Sequence, residues 1–212
     1  MAAPDRRRAR LRSARLYLVI EAGAARAVVP AALAGGVDMV QLREKDAADA
    51  EIVSTGRWLR EACSEHDALF VVNDRADLAL ECGADGVHVG QDDEPVQSVR
   101  RTVGPDLLIG LSTHSPEQVD AASADTDVDY LGVGPVFATA TKPGLEPVGP
   151  ELVRYAEEHV RKPWFAIGGI DAERAREIGA DRIAVVRAIR DAPDPRAAAE
   201  MLLREPVGGQ AQ

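Results

Sequence analysis

The sequence has few aromatic residues and no long apolar run. Aromatic side chains make up 4% of the 212 residues, whereas hydrophobic residues of all kinds make up 46%. We therefore expect a core of Ala, Val, Leu and Ile, which suits helices packed on parallel strands that are buried on both faces. No apolar run approaches the length of a membrane-spanning helix, so we expect no membrane partner.

Cysteine is also scarce, and the net charge is negative. The two cysteines, Cys63 and Cys82, lack the close spacing of metal ligands, and no secretory signal precedes them. We expect reduced, partly buried thiols in a cytoplasmic protein. The formal net charge of −10 argues against binding of nucleic acid. A site for an anionic small-molecule substrate must then be locally basic or must bind a metal.

Eight short apolar runs, rich in Val, Leu and Ile, predict eight buried strands. The runs are Leu16–Ile20, Met39–Leu42, Leu69–Val72, Val87–Val89, Leu107–Gly110, Tyr130–Val133, Trp164–Ile167 and Ile183–Val186. Amphipathic segments between them predict helices, among them Ala48–Cys63, Glu117–Ala122, Pro150–His159 and Ala172–Ile178. Ser115 and Asp171 are expected to cap the helices that follow them.

A Val-Asp or Ala-Asp pair precedes every second predicted strand, at Asp38, Asp85, Asp129 and Asp181. Such regularity favours a closed (β/α)8 TIM barrel over the alternative, an open doubly wound sheet. We predict a single catalytic barrel domain over residues 15–205. Residues 1–14, rich in arginine, are expected to form a flexible basic N-terminal arm, and residues 206–212 a C-terminal tail.

The segment after the second strand brings three polar side chains to one face. Gln41, Arg43 and Lys45 alternate along an extended chain, so they point the same way and together suit an anion with several oxygens. An ordinary surface charge cluster with Glu44 is the alternative. Lys45 is informative, because the chain has only three lysines and 22 arginines. A lysine here indicates a position that needs a compact ammonium group.

Carboxylates follow the third and fourth strands. Asp74 and Asp93 are expected at neighbouring strand ends, where they suit Mg²⁺ shared with substrate phosphates. A helix N-cap for Asp74 and an acidic turn formed with Asp92 are the alternatives. His88, within the fourth strand, could face the site or the helices.

Hydroxyls and glycines follow the later strands. Ser112 is expected just beyond the fifth strand, and no Ser-His-acid arrangement is predicted. The long loop after the sixth strand presents Thr139, Thr141 and Lys142. Gly168-Gly169 and the Val186-Arg187 turn follow the last two strands, where barrels commonly bind a phosphate.

Six motifs in this order, each at a predicted strand end, resemble those of the thiamine phosphate synthase family. They are Gln41-Leu42-Arg43-Glu44-Lys45, Asn73-Asp74-Arg75, Gly90-Gln91-Asp92-Asp93, Gly110-Leu111-Ser112, Thr139-Ala140-Thr141-Lys142 and Ile167-Gly168-Gly169-Ile170. The resemblance covers about residues 16–190. It implies a transferase of thiamine biosynthesis, which joins 4-amino-2-methyl-5-hydroxymethylpyrimidine pyrophosphate to hydroxyethylthiazole phosphate. Thiamine monophosphate and pyrophosphate would be the products.

The resemblance also implies roles for individual residues. The pyrimidine substrate would contact Gln41, Arg43, Lys45, Asn73, His88, Ser112 and Lys142, of which Arg43, Lys45, Ser112 and Lys142 would be catalytic. The thiazole phosphate would contact Thr139, Thr141, Gly169, Val186 and Arg187. Asp74 and Asp93 would bind Mg²⁺, the one implied cofactor. Many relatives have Ser where this chain has Arg187, so the backbone amides there carry the expected contact.

Three other functions, two enzymatic and one non-catalytic, remain as alternatives. A thiazole tautomerase on a related barrel would need no pyrophosphate site. A sugar-phosphate epimerase would need a paired acid and base at the strand ends, and a non-catalytic phosphate-binding protein would release no pyrophosphate. The sequence is compatible with a homo-oligomer.

Overall fold

A closed barrel of eight parallel strands forms the centre of the computed structural model, which describes residues 3–45, 47–139 and 146–204. The strands are β1 (Leu16–Ile20), β2 (Met39–Leu42), β3 (Leu69–Asn73), β4 (Gly86–Val89), β5 (Leu108–Thr113), β6 (Tyr130–Val133), β7 (Trp164–Ile167) and β8 (Ile183–Val185). Each strand pairs with the next in the chain, and β8 pairs with β1. The TIM barrel is therefore confirmed, and the open sheet is wrong.

Helices occupy the connections between the strands, precede β1 and follow β8. They are α1 (Ala3–Ser13), α2 (Ala22–Ala34), α3 (Asp49–Glu65), α4 (Ala76–Cys82), α5 (Val96–Val103), α6 (Pro116–Ala124), α7 (Gly149–His159), α8 (Ala172–Ile178), α9 (Arg187–Arg190) and α10 (Pro195–Leu203). The predicted caps are confirmed. Ser115 accepts a hydrogen bond from the Gln118 backbone, and Asp171 accepts from the backbones of Glu173 and Arg174.

The strand predictions fail mainly at β5. The apolar run suggested that this strand ends at Gly110, but it continues to Thr113, so Ser112 lies within the strand instead of beyond it. Ser112 pairs in register with Gly132 of β6. Strand pairing with β6 therefore extends β5 past the point where its apolar residues end.

Three of the four aspartates that precede alternate strands bind the backbone of the preceding strand. Asp38 accepts from the Leu16 nitrogen at 3.0 Å, Asp85 from the Phe70 nitrogen at 3.0 Å, and Asp129 from the Ile109 nitrogen at 2.9 Å. These contacts satisfy amide groups at the amino ends of β1, β3 and β5. The repeat seen in the sequence thus marks the end of the barrel opposite the site.

The expected flexible N-terminal arm is instead the helix α1. Its Arg7 pairs with Asp85 at 2.9 Å and its Arg8 with Asp129 at 3.0 Å, while Leu11 is buried. Leu11 packs in the hydrophobic cluster of the barrel interior. The arginines therefore attach α1 to the amino-terminal end of the barrel, which the local sequence could not indicate because the carboxylates come from distant strands.

Both cysteines are buried free thiols. Burial raises the pKa of the Cys63 thiol to about 12 and that of Cys82 to about 11. Within the described part of the chain, no helix is long and apolar enough to cross a membrane. The predicted cytoplasmic location stays a prediction.

Candidate active site

A cavity of about 350 Å³ opens at the carboxyl-terminal ends of the strands. The predicted site residues among its lining are Gln41, Arg43, Asn73, His88, Ser112, Thr139, Gly169, Val186 and Arg187. Barrel enzymes carry their chemistry at this end, in the segments that follow the strands. The expected clustering of these residues is therefore present in the described part of the chain.

Two aromatic rings, Tyr17 and Phe165, form the floor of the cavity, and a third, Tyr130, packs against them. Tyr17 packs edge-on against Phe165, with ring centroids 5.3 Å apart, and Tyr130 packs edge-on against Phe165 at 6.0 Å. All three rings are buried in the barrel interior. With so few aromatics in the chain, their collection at one level inside the barrel gives the cavity a rigid apolar base.

Buried polar side chains cross this floor in one hydrogen-bonded series. Gln41 Nε2 donates to the Tyr17 hydroxyl, and the hydroxyls of Tyr17 and Tyr130 lie 3.2 Å apart. His88 Nδ1 lies 3.1 Å from the Tyr130 hydroxyl, and its Nε2 lies 2.9 Å from Ser112 Oγ. His88 therefore faces the barrel interior, which settles the orientation that the sequence left open.

The residues at the end of β2 and just after it divide between the cavity and the helices. Gln41 and Arg43 line the cavity, whereas Glu44 accepts hydrogen bonds from the backbone nitrogens of Ala22 and Lys45. The Arg43 Nε is buried, and no described residue accepts its hydrogen. A buried, unpaired guanidinium donor at a cavity wall is suited to an anionic ligand. Lys45 is exposed and lies beyond the cavity lining.

The predicted metal ligands lie at the ends of neighbouring strands. The Asp74 backbone nitrogen donates to the His88 carbonyl at 2.8 Å, and Asp74 Oδ2 accepts from Asn73 Nδ2 at 2.5 Å. Asp74 has a φ of 61°, a left-handed conformation that aspartate tolerates better than most residues. It does not cap α4, because that helix begins after Arg75 without a side-chain cap.

The donor set fits Mg²⁺ in part. Magnesium in proteins is commonly bound by one or two carboxylates, with waters and substrate phosphates as the other ligands. Asp74 and Asp93 supply two carboxylates of this kind, whereas the described residues contain no cluster of three or more side chains that could hold a metal. A magnesium site completed by a substrate phosphate therefore stays a proposal.

The turn after β7 packs closely against the loop after β6, and glycine in the turn permits this contact. Gly168 and Gly169 have φ values of 105° and 64°, and both line the cavity. A Cβ on Gly169 would lie 2.8 Å from the Ala138 carbonyl oxygen and 2.9 Å from Phe137 Cβ. Only glycine combines this backbone conformation with such close contact. Thr139 also lines the cavity, while Thr141 and Lys142 lie outside the described residues.

The wall on the β8 side carries further charge. Arg187 is exposed at the start of α9, and Arg174 of α8 donates to the Gly169 carbonyl at 2.7 Å. The Arg174 guanidinium also lies 4.9 Å from the centre of the Phe137 ring. Arg174 therefore joins the glycine turn to the loop after β6.

Sequence reasoning missed several residues that line the cavity or pack against its lining. Tyr17, Tyr130 and Phe165 were interpreted only as strand residues, and His114 and Arg174 were not considered. The strand period carried a usable signal, because Tyr17 and Val19 face the interior while Leu16, Leu18 and Ile20 face the helices. The phenol of Tyr17 on the inward face of β1, together with Gln41 on the inward face of β2, indicates a cavity floor.

The closed barrel, with a cavity at the carboxyl ends of its strands, places the chain in the class of (β/α)8-barrel proteins. Comparison with protein families gives a match over residues 16–189 to the model described as thiamine monophosphate synthase. These residues run from the first residue of β1 into α9 and so include every strand of the barrel.

Individual relatives agree with this match. A thiamine-phosphate synthase of Saccharopolyspora erythraea is 48% identical, over 92% of this chain and 94% of that protein. One from Gloeobacter violaceus is 53% identical over 89% of this chain, which spans only 56% of that longer protein. A solved structure of a thiamine phosphate pyrophosphorylase from Pyrococcus furiosus is 38% identical with a TM-score of 0.79, over 92% of this chain and 95% of that one.

The chain therefore belongs to the thiamine monophosphate synthase family, whose curated members are transferases. The comparisons do not favour the thiazole tautomerase alternative.

Proposed function

We propose that the chain condenses 4-amino-2-methyl-5-hydroxymethylpyrimidine pyrophosphate with hydroxyethylthiazole phosphate, giving thiamine monophosphate and pyrophosphate. One observation carries the proposal. A single cavity has two walls suited to anions, separated by an aromatic floor. Arg43, Asn73 and Ser112 line one wall, and Gly169 and Arg187 line the other. Two substrates that each carry phosphate, and that react through flat heterocycles, match this arrangement.

The pyrimidine diphosphate belongs on the wall formed by β2 to β5. Gln41, Arg43, Asn73, His88 and Ser112 are the residues proposed to contact it there. Lys45 and Lys142 are proposed to reach the diphosphate from the segments beyond the strands. The thiazole phosphate is assigned to the opposite wall, with Thr139, Thr141, Gly169, Val186 and Arg187.

The reaction requires one bond to break and one to form. The bond between the pyrimidine CH2 carbon and the diphosphate oxygen breaks, and the oxygen keeps the electron pair. The thiazole nitrogen then gives its lone pair to the CH2 carbon, so no proton has to be transferred. Stabilisation of the negative charge that develops on the leaving oxygen is the main requirement, and the buried donor of Arg43 is well suited to it.

Asp74 and Asp93 would hold Mg²⁺, which when bound neutralises charge on the leaving diphosphate. Asn73 orients the first of these carboxylates through its hydrogen bond to Asp74 Oδ2. The backbone of Gly90 does the same for Asp93, donating to its Oδ2 at 2.7 Å.

The experiment is an omission series with the purified chain. We expect thiamine monophosphate, detected by mass spectrometry, and an equal amount of pyrophosphate only when both substrates and Mg²⁺ are present. Chelation of the metal should abolish both products, and readdition should restore them. Pyrophosphate released without thiamine monophosphate, or no product under any condition, would overturn the proposal.

A further inference from the structure

Five side chains beneath the cavity form a continuous series, Gln41–Tyr17–Tyr130–His88–Ser112. We infer that Tyr17 and Tyr130 are positioning residues that couple the amide orientation of Gln41 to the tautomer of His88. The cavity then presents an oxygen acceptor at Gln41 and a hydroxyl donor at Ser112. This inference rests on the proposed function for the identity of the two ligand groups, but the direction of the series follows from the amide orientation of Gln41 in the structure.

The direction is set at Gln41. Its Nε2 faces the Tyr17 hydroxyl, and an amide nitrogen can only donate, so the Tyr17 oxygen accepts. The single proton of Tyr17 is then directed to the Tyr130 oxygen, 3.2 Å away.

The same reasoning continues to the other end. Tyr130 directs its proton to His88 Nδ1 at 3.1 Å, so this nitrogen accepts. A neutral imidazole that accepts at Nδ1 carries its proton on Nε2. His88 Nε2 therefore donates to Ser112 Oγ at 2.9 Å, and the Ser112 proton is left to point elsewhere.

Packing holds the members of the series in place. Tyr17, Gln41 and Tyr130 are 2%, 3% and 0% exposed. Burial raises the pKa of both tyrosines, so their hydroxyls keep the protons that the series needs. A Cβ on Gly110 would lie 2.1 Å from Tyr130 Cζ and 2.4 Å from His88 Nδ1, so the absence of a side chain there permits their contact.

The consequence is a defined donor and acceptor pattern. With Nε2 bound to Tyr17, the Gln41 Oε1 is the group that remains for a ligand, and it suits the 4-amino group of the proposed pyrimidine. Ser112, at the far end, suits an oxygen of the leaving diphosphate. Reversal of every hydrogen bond would present an amide donor at Gln41 and would favour a 4-oxo pyrimidine instead.

The first test needs no substrate. In the ¹⁵N-labelled full chain, proton–nitrogen correlation spectra distinguish the two tautomers of His88, whose signals are assigned from their loss in His88→Gln. We expect a proton on Nε2 in the wild type and a mixture of tautomers in Tyr130→Phe. The matched control is Tyr155→Phe, because Tyr155 also donates its hydroxyl to a side chain, Asp120, but on the surface.

A wild-type His88 protonated at Nδ1 would overturn the inference, as would a Tyr130→Phe spectrum identical to that of the wild type. The wild-type measurement stays decisive even if a tyrosine variant fails to fold.

The second test compares the 4-amino substrate with its 4-oxo analogue. Wild type should prefer the amino compound, and Tyr17→Phe, which frees the amide to turn, should lower the ratio of kcat/KM values about tenfold. The KM for the thiazole phosphate should stay unchanged in this variant, and Tyr155→Phe should keep the wild-type ratio. An unchanged ratio in Tyr17→Phe would contradict the inference.

A wild-type chain that makes no thiamine monophosphate refutes the proposed function, whereas the tautomer of His88 is still measured. A fully active chain with the Nδ1 tautomer refutes only the positioning role of the tyrosines.

Discussion

Asp93 Oδ2 accepts a hydrogen bond from the Gly90 backbone nitrogen at 2.7 Å, three residues earlier in the chain. This contact folds the segment after β4 back on itself and fixes the carboxylate at the end of that strand. The acidic-turn alternative considered for this segment is therefore correct as local structure. A hydrogen bond at one oxygen leaves the other for a ligand, so the turn is also compatible with a metal role.

Replacement of Asp93 by Asn should raise the Mg²⁺ concentration for half-maximal activity at least about tenfold, because a neutral amide is a poorer magnesium ligand. Asn retains an oxygen that can accept from Gly90, so the turn should persist. The measurement is a Mg²⁺ titration of product formation, together with calorimetry of Mg²⁺ binding in the presence of pyrophosphate. Asp92→Asn changes the net charge equally at an exposed neighbouring position and should behave as wild type. Identical titrations for the two variants would contradict the metal role.

Gly169→Ala should weaken binding of the thiazole phosphate and lower the free energy of unfolding by about 2–4 kcal/mol, the sum of left-handed strain and overpacking. Gly179→Ala is the matched control. Both glycines have a φ of 64°, but a Cβ on Gly179 meets nothing within 4 Å. The control should lose only about 1 kcal/mol from backbone strain and keep its kinetic constants. Denaturant unfolding and the KM for thiazole phosphate provide the measurements, and equal effects in the two variants would count against the close contact with Phe137 and Ala138.

The attachment of α1 predicts a difference between two arginines of the same helix. Arg7→Met should lower the free energy of unfolding by about 1–2 kcal/mol, because it removes one charged partner of the buried Asp85. The loss is limited since Asp85 keeps Arg60 at 2.6 Å and the Phe70 nitrogen at 3.0 Å. Arg12→Met, an exposed position in α1, should have little effect in the same urea titration. Equal stability of the two variants would mean that α1 is not held by this ion pair.

Local apolar runs were sufficient to predict the eight strands, because parallel strands buried on both faces leave a simple signal of Val, Leu and Ile, and the aspartates before alternate strands favoured a closed barrel. The same rule failed where long-range contacts decide. The helix α1 depends on carboxylates that precede β4 and β6, and the extension of β5 to Thr113 depends on pairing with β6. Neither partner is visible within the segment itself.

The site shows the same division. Strand ends predicted the placement of Gln41, Arg43 and Asn73 around one cavity, since the fold brings all carboxyl ends together. The contact between the Tyr17 and Tyr130 hydroxyls was missed because these residues lie in strands far apart in the chain. Only the register between strands reveals that their hydroxyls meet.

The most direct measurement of the central claim compares kcat/KM for the pyrimidine diphosphate in Arg43→Met and Arg57→Met. Both changes remove one guanidinium, but Arg57 lies on the surface, 3.4 Å from Glu81, whereas the Arg43 Nε is buried at the cavity wall. Loss of a donor that stabilises charge on the leaving group typically costs about 10²–10³ in rate. We expect a fall of that size for Arg43→Met and near wild-type kinetics for Arg57→Met. Equal kcat/KM values in the two folded variants would contradict the account.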